Sequence, residues 1–110
     1  MSKLITKFQK NRLLTSIRSW KATPFQKKVW RTILTIPPGE VRSYEWVAKK
    51  IGHPRATRGV GSALKKNPFA PQVPCHRVIR KDGSLGGYSG PGGISQKMRL
   101  LKKERIASIA

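Results

Sequence analysis

The chain has 110 residues, 24 of them Lys or Arg and only four Asp or Glu, for a formal net charge of +20. That length accommodates one small domain and excludes a two-domain enzyme with a separate cofactor fold. Its 37% hydrophobic content, with three Trp, argues against wholesale disorder, and its single Cys excludes an internal disulfide or a multi-thiolate metal site.

Residues 1–21 contain no acid and several Lys and Arg. Leu13, Ile17 and Trp20 share one helical face, so the segment reads as a basic arm or short docking helix. A basic, acid-poor leader of this kind also fits a targeting segment. The globular part is expected to begin at Thr23-Pro24, an N-cap followed by proline at the first helical position. Phe25, Val29, Ile33 and Ile36 then line one face, widened by Trp30 and Leu34, until Pro37-Pro38-Gly39 stops the helix.

Ser43 is expected to cap a shorter helix carrying Tyr44, Val47, Ala48 and Ile51, closed by Gly52. A third helix from about Arg55 to Lys66 puts Val60, Ala63 and Leu64 on one side. Two short helices joined at Gly52 form a helix-turn-helix pattern. Val78-Ile79 followed by Lys81-Asp82-Gly83-Ser84 reads as a strand and hairpin turn, with Leu85 starting the return. Residues 86–93 form a glycine-rich loop, and Ser95 caps a last helix with Met98, Leu101 and Ile106 inward. The expected fold is mostly helical α+β: a winged helix-turn-helix domain over 23–110 with a short β-hairpin wing, preceded by the arm of 1–22.

So much positive charge on a small body repels itself unless an anionic partner relieves it. Nucleic acid is the commonest such partner, through counterion release. A generally basic, high-salt cytoplasm is the bland explanation. An anionic membrane surface is a weaker rival, because most of the chain reads as globular and no apolar run approaches the roughly 20 residues that span a bilayer. The expected location is intracellular, with the cytoplasm and nucleoid, or the nucleus, as the places where DNA lies.

The densest chemistry is Pro74-Cys75-His76-Arg77. Neighbouring His and Arg lower a thiol pKa, and the thiolate is the nucleophile. In a regular strand Cys75 and His76 would face opposite ways, so an irregular turn or a bridging water is required. The plain alternative is a small buried hydrophobe beside a satisfied histidine. With four acids in all, Glu104 either tempers the charge of its basic neighbours or orients His76 in a Cys–His–acid relay. Arg58 sits among the small residues Ala56, Thr57, Gly59, Gly61 and Ser62, a helix face able to approach a nucleic-acid groove with one long cation projecting.

Thr23-Pro24-Phe25-Gln26, Ile36-Pro37-Pro38-Gly39-Glu40, Ser43-Tyr44, Arg58-Gly59-Val60-Gly61, Asn67-Pro68, Pro74-Cys75-His76-Arg77-Val78 and Gly87-Tyr88-Ser89-Gly90 occur in that order. Over residues 23–104 this series resembles the C-terminal, active domain of the O(6)-alkylguanine-DNA alkyltransferases. The resemblance implies direct, single-turnover repair: an alkylated guanine is flipped from duplex DNA and its alkyl group moves irreversibly to cysteine. It implies Cys75 as nucleophile, His76 as base through a water, Glu104 as the acid orienting it, and Asn67 as the residue steadying the turn. It implies Tyr44 as the phenol that protonates or polarises the purine, and Arg58 as the finger that fills the vacated base position.

Val78, Tyr88 and Ser89 would line the base pocket, and the helix bearing Ala56, Thr57, Gly59, Gly61 and Ser62 would enter the minor groove, with Arg77 assigned to DNA binding. No metal or cofactor is implied, because a thiolate suffices for displacement at a saturated carbon. The implied partner is duplex DNA bound by a monomer. Three features depart from the family: a basic segment of about twenty residues where its N-terminal domain stands, an enlarged loop around Pro91, and polar Thr57 and Ser62 on the groove-facing helix. Two rivals remain at this point. One is an alkyltransferase-like module that marks lesions without transfer, in which family the cysteine is replaced; the other is an ordinary winged-helix regulator.

Overall fold

The computed structural model describes residues 7–70, 72–84 and 93–109, with backbone only for 106–109. Among the described residues, five α-helices and one two-stranded sheet make up the regular structure: α1 (Lys7–Ser19), α2 (Pro24–Ile33), β1 (Arg42–Ser43), α3 (Tyr44–Lys50), α4 (Thr57–Lys65), a 3-10 turn at Cys75–Arg77, β2 (Val78–Ile79) and α5 (Gly93–Ile109). Among the described residues, no helix is long and apolar enough to cross a membrane.

The start of α2 follows from its first four residues. Thr23 Oγ1 accepts from the Gln26 amide at 3.1 Å, and the Thr23 amide donates to Gln26 Oε1 at 3.0 Å, closing a capping box ahead of Pro24. The helix ends at Ile33, earlier than the expected Ile36. The amides of Thr35 and Ile36 reach back three residues, to Thr32 and Ile33, tightening the chain before Pro37. Ile36 is nevertheless buried, so the tighter turn keeps it on the core face.

Ser43 caps α3 by accepting the Trp46 amide at 3.0 Å. Gly52, at φ +82°, closes it: the amides of Gly52 and His53 donate to the carbonyls of Lys49 and Ala48, a Schellman arrangement that needs the left-handed residue. This turn delivers α4, which runs from Thr57 to Lys65, slightly inside the expected span. Val29, Trp30 and Ile33 of α2, Val47 and Ala48 of α3, and Val60, Ala63 and Leu64 of α4 form the core with Val73 and Val78. Trp30 is 1% exposed and its indole N–H donates to the Ala63 carbonyl at 2.9 Å. Truncating such a side chain to Ala costs about 3–5 kcal/mol. Gly59 lets α4 approach α2 closely, since a Cβ there would lie 3.1 Å from the Phe25 ring.

Two elements differ from the sequence-based expectation. The 78–79 strand pairs in parallel with β1, in the register Arg42↔Val78 and Ser43↔Ile79. The turn after it exists, with Gly83 at φ +90° and Ser84 held by Asp82 Oδ1, but the hairpin's return from Leu85 lies outside the described residues. The last helix begins at Gly93, and Met98, expected inward, is 57% exposed. Lys97 and Glu104, seven residues apart and so on one face, are buried instead. Polar partners on the neighbouring turn set that rotation, and apolar periodicity does not encode them. The expected inward Ile106 lies outside the described side chains.

On the other flank, α1 places Ile17 fully in the core, with Leu13 and Leu14 packed against it. Trp20, just beyond α1, meets the Phe69 ring edge-on at 5.0 Å, and Phe69 in turn meets Trp30 at 6.1 Å.

Candidate active site: a buried thiol beside a histidine–glutamate–arginine network

Cys75, His76 and Arg77 occupy a 3-10 turn leading into β2, the irregular backbone that the adjacent Cys and His require. A 3-10 turn rotates successive side chains by about 120°, whereas a strand opposes them. Cys75 is 5% exposed and His76 1%. Asn67 organises the loop before them: its Nδ2 donates to the Val73 carbonyl at 2.8 Å and its Oδ1 accepts from the Phe69 amide at 2.9 Å. The Cys75 amide then donates to the same Val73 carbonyl at 2.8 Å.

α5 supplies the acid across 28 residues of sequence. Glu104 Oε2 lies 2.9 Å from His76 Nε2, and Arg77 clasps both carboxylate oxygens, Nε to Oε1 at 2.9 Å and Nη2 to Oε2 at 2.6 Å. The fork's remaining Nη1 donates to the Ile36 carbonyl at 2.7 Å. Arg77, assigned above to DNA, is therefore turned inward, where a bidentate pair fixes Glu104 more firmly than a single bond would. Burial by itself would raise the Glu104 carboxyl; the bonds from His76 and Arg77 and their charges outweigh it and hold the group at about 2. An ionised carboxylate only accepts, so His76 carries a hydrogen on Nε2, and whenever the ring holds a single proton its lone pair is at Nδ1. That Nδ1 is buried and has no hydrogen-bond partner among the described residues.

Burial pushes the Cys75 thiol up, and a hydrogen bond with the Asn67 side chain and the charge of Lys97 pull it part of the way back. The resting thiol thus keeps its proton at neutral pH, and a base has to remove it. Lys97 is the residue of this candidate site that sequence reasoning missed. It is fully buried, its Nζ donates to the Val78 carbonyl at 2.7 Å, and desolvation lowers it to about 8 against the opposing pull of Cys75. Its only sequence signal was a lysine spaced seven residues before Glu104. Val78 itself is buried, with its carbonyl already engaged by Lys97.

Tyr44 opens α3 and connects this centre to the surface. Burial raises its phenol, Arg80 opposes that shift, and Cys75 adds to it, so the hydroxyl stays protonated. Tyr44 lines an open cleft of about 710 Å³ with Thr57, Arg58 and Gly61 of α4 and with Arg80 and Lys81 after β2. Arg58 and Ser62 are exposed, and Ala56 is half-buried. Gly59 faces Phe25 and so serves helix packing, not the cleft. Tyr88 and Ser89 lie outside the described residues. No three His, Cys, Asp or Glu side chains gather into a metal-binding group among the described residues.

Residues 24–106 match the family described as 6-O-methylguanine DNA methyltransferase, DNA binding domain. The chain belongs to this family. Against the alkyltransferase named methylated-DNA--protein-cysteine methyltransferase from Mycobacterium leprae it is 51% identical over 83 residues, covering 76% of this chain and 49% of the relative. It is similar to the crystal structure of Mycobacterium tuberculosis OGT in complex with DNA, with 51% identity, a TM-score of 0.75, and coverage of 78% and 51% of the two chains. It is also similar to S. pombe Atl1 in complex with damaged DNA containing O6-carboxymethylguanine, at 30% identity, TM-score 0.67, and 77% and 79% coverage. This alkyltransferase-family chain spans about half the length of the first of these curated relatives.

Proposed function

We propose that the chain repairs O(6)-alkylguanine in duplex DNA by one irreversible transfer of the alkyl group to Cys75 Sγ. The observation that carries this reading is one 3-10 turn that holds Cys75, a buried thiol that keeps its proton, next in sequence to His76, an imidazole anchored by Glu104 through Nε2 with Nδ1 unpartnered among the described residues. The thiol proton passes through a water to His76 Nδ1, and the sulfur attacks the alkyl carbon. The S–C bond forms as the C–O6 bond breaks, and the electron pair departs into the purine. Tyr44 donates its hydroxyl proton to the purine ring, and the proton taken up by His76 restores the phenol through solvent. Net, the thiol hydrogen is exchanged for the alkyl group.

Arg58 projects from the small-residue face of α4 and fills the base position vacated on flipping, as α4 enters the minor groove. Val78, Tyr88 and Ser89 contribute to the base pocket. Residues 1–22 act as a basic arm anchored through α1, and 23–110 as the alkyltransferase domain. Its work belongs wherever the cell keeps DNA.

Intact mass after incubation with a duplex carrying one O(6)-methylguanine tests the reading, with unmodified duplex as control. A methyl in place of one hydrogen, mapped to Cys75 and absent from Cys75→Ser, is the expected result. The second reading, lesion marking without transfer, draws on the similarity to the S. pombe Atl1 complex. It predicts tight binding to the alkylated duplex with no mass change. Retention of Cys75 favours transfer.

A further inference from the structure

The four acids of the chain are all accounted for without reaching the outer face of α2. Glu40 pairs with Arg42, Asp82 binds Ser84 within its own turn, Glu45 lies in the Tyr44 cleft, and Glu104 is buried on His76 and Arg77. On that outer face stand exposed Lys28 and Arg31 and half-buried Thr32, opposite the buried Val29, Trp30 and Ile33, with exposed Thr35 just past the end of the helix. With Lys50 and Ile51 from the end of α3 they enclose a shallow concavity of about 350 Å³ that contains no acid. The side chains of Lys28 and Arg31 make no ion pair or hydrogen bond among the described residues, and Lys50 is held 5.7 Å over the Trp46 ring. Three cations converge there with nothing in the described protein to neutralise them.

This concavity is separate from the Arg58 cleft. The two share no lining residue. Tyr44 and Glu45 stand in the first turn of α3, and Lys50 closes its last. At 1.5 Å per residue the two ends are about 9 Å apart along the axis. We infer that the Lys28–Arg31–Lys50 concavity is a second phosphate-backbone contact for duplex DNA, so that one molecule holding a duplex at α4 binds a second duplex across α2. Charge complementarity identifies the occupant: three converging cations beside Thr32 and Thr35 suit the closely spaced phosphates of a polyanion. The inference rests on the DNA-binding part of the reading above and not on alkyl transfer.

The test uses the full chain with two short unmodified duplexes carrying different fluorophores. The wild-type protein should bring them together, giving energy transfer that vanishes with added salt. Reversing the patch as K28E/R31E/K50E, or neutralising it as K28Q/R31Q/K50Q, should weaken the second binding step at least tenfold. The neutral variant should reduce that step's log K against log salt slope by about 2.7, three contacts at roughly 0.9 each. Both variants should still accept methyl from a single short lesion duplex. Bridging that persists in the variants, or no bridging by the wild type, overturns the inference. Transfer lost in parallel with bridging overturns it too, by showing that the patch serves the lesion-bearing duplex. Lysine acetylation of the unaltered protein gives a check independent of any variant's folding: Lys28 and Lys50 should become protected only with the second equivalent of duplex. Protection at the first equivalent, or none, refutes it. Because these duplexes carry no lesion, failure here leaves the transfer reading intact.

Discussion

Glu104→Gln removes one negative charge from a site where three donors converge. Glu104 is 7% exposed and accepts from His76 Nε2 and from two nitrogens of Arg77. Holding its carboxyl at about 2, against the usual 4.5, corresponds to about 3 kcal/mol of stabilisation at neutral pH. The folded value lies below the unfolded one, so this stability is fully present above pH 4.5 and is lost as pH falls through 2. The amide offers one acceptor and introduces a donor that faces the guanidinium or the imidazole. The variant should therefore be about 3 kcal/mol less stable at pH 7, with a midpoint of thermal unfolding lower by about 12 °C or more. The gap between wild type and variant should narrow steadily from pH 5 to pH 2 in urea titrations. Methyl transfer should slow by about 10²–10⁴-fold, because Nε2 no longer faces an anion that stabilises the imidazolium. Equal stability at pH 7, a gap indifferent to pH, or an unchanged transfer rate would each refute the network as described.

Lys97→Met removes the cation that draws the Cys75 thiol down, so the acid limb of the transfer rate should move to higher pH; an unshifted profile would place Lys97 outside the chemistry. Desolvation puts folded Lys97 at about 8, below the usual 10.5, so wild-type stability should gain a contribution as pH rises from 8 to 10.5, and K97M should lack that gain. Arg58→Ala should slow repair of duplex far more than reaction with the free alkylated base, and equal losses would contradict a flipping role. Trp20→Ala removes the edge-on contact with Phe69, whose amide is held by Asn67. It should cost about 1–2 kcal/mol in urea unfolding, and a loss within error would mean that α1 does not brace the active-site loop.

Much of the chain was legible from local signals. Thr23-Pro24, Ser43 and Gly52 mark helix boundaries because caps and left-handed residues act on neighbours within one turn of chain. The positions of Val29, Ile33, Val47, Val60 and Ala63 follow from periodicity for the same reason: a helix face depends on spacing alone. Cys75, His76 and Glu104 were legible as candidates, since residue type limits which chemistry is available. Sequence by itself thus determined the helix-turn-helix, the candidate nucleophile and the cationic character of the chain.

Tertiary structure decided the rest. Nothing local indicates that β2 will pair with β1 in parallel, because pairing between residues 42–43 and 78–79 depends on how the intervening helices pack. Arg77 read as a surface cation and proved to be an internal clasp. Lys97 drew no expectation from its sequence and proved to be buried in contact with the Val78 carbonyl. Both placements share one cause. A long cationic side chain turns inward only where other segments supply acceptors that repay its desolvation, and those acceptors, Ile36 and Glu104 for Arg77 and Val78 for Lys97, are brought within reach only by the fold.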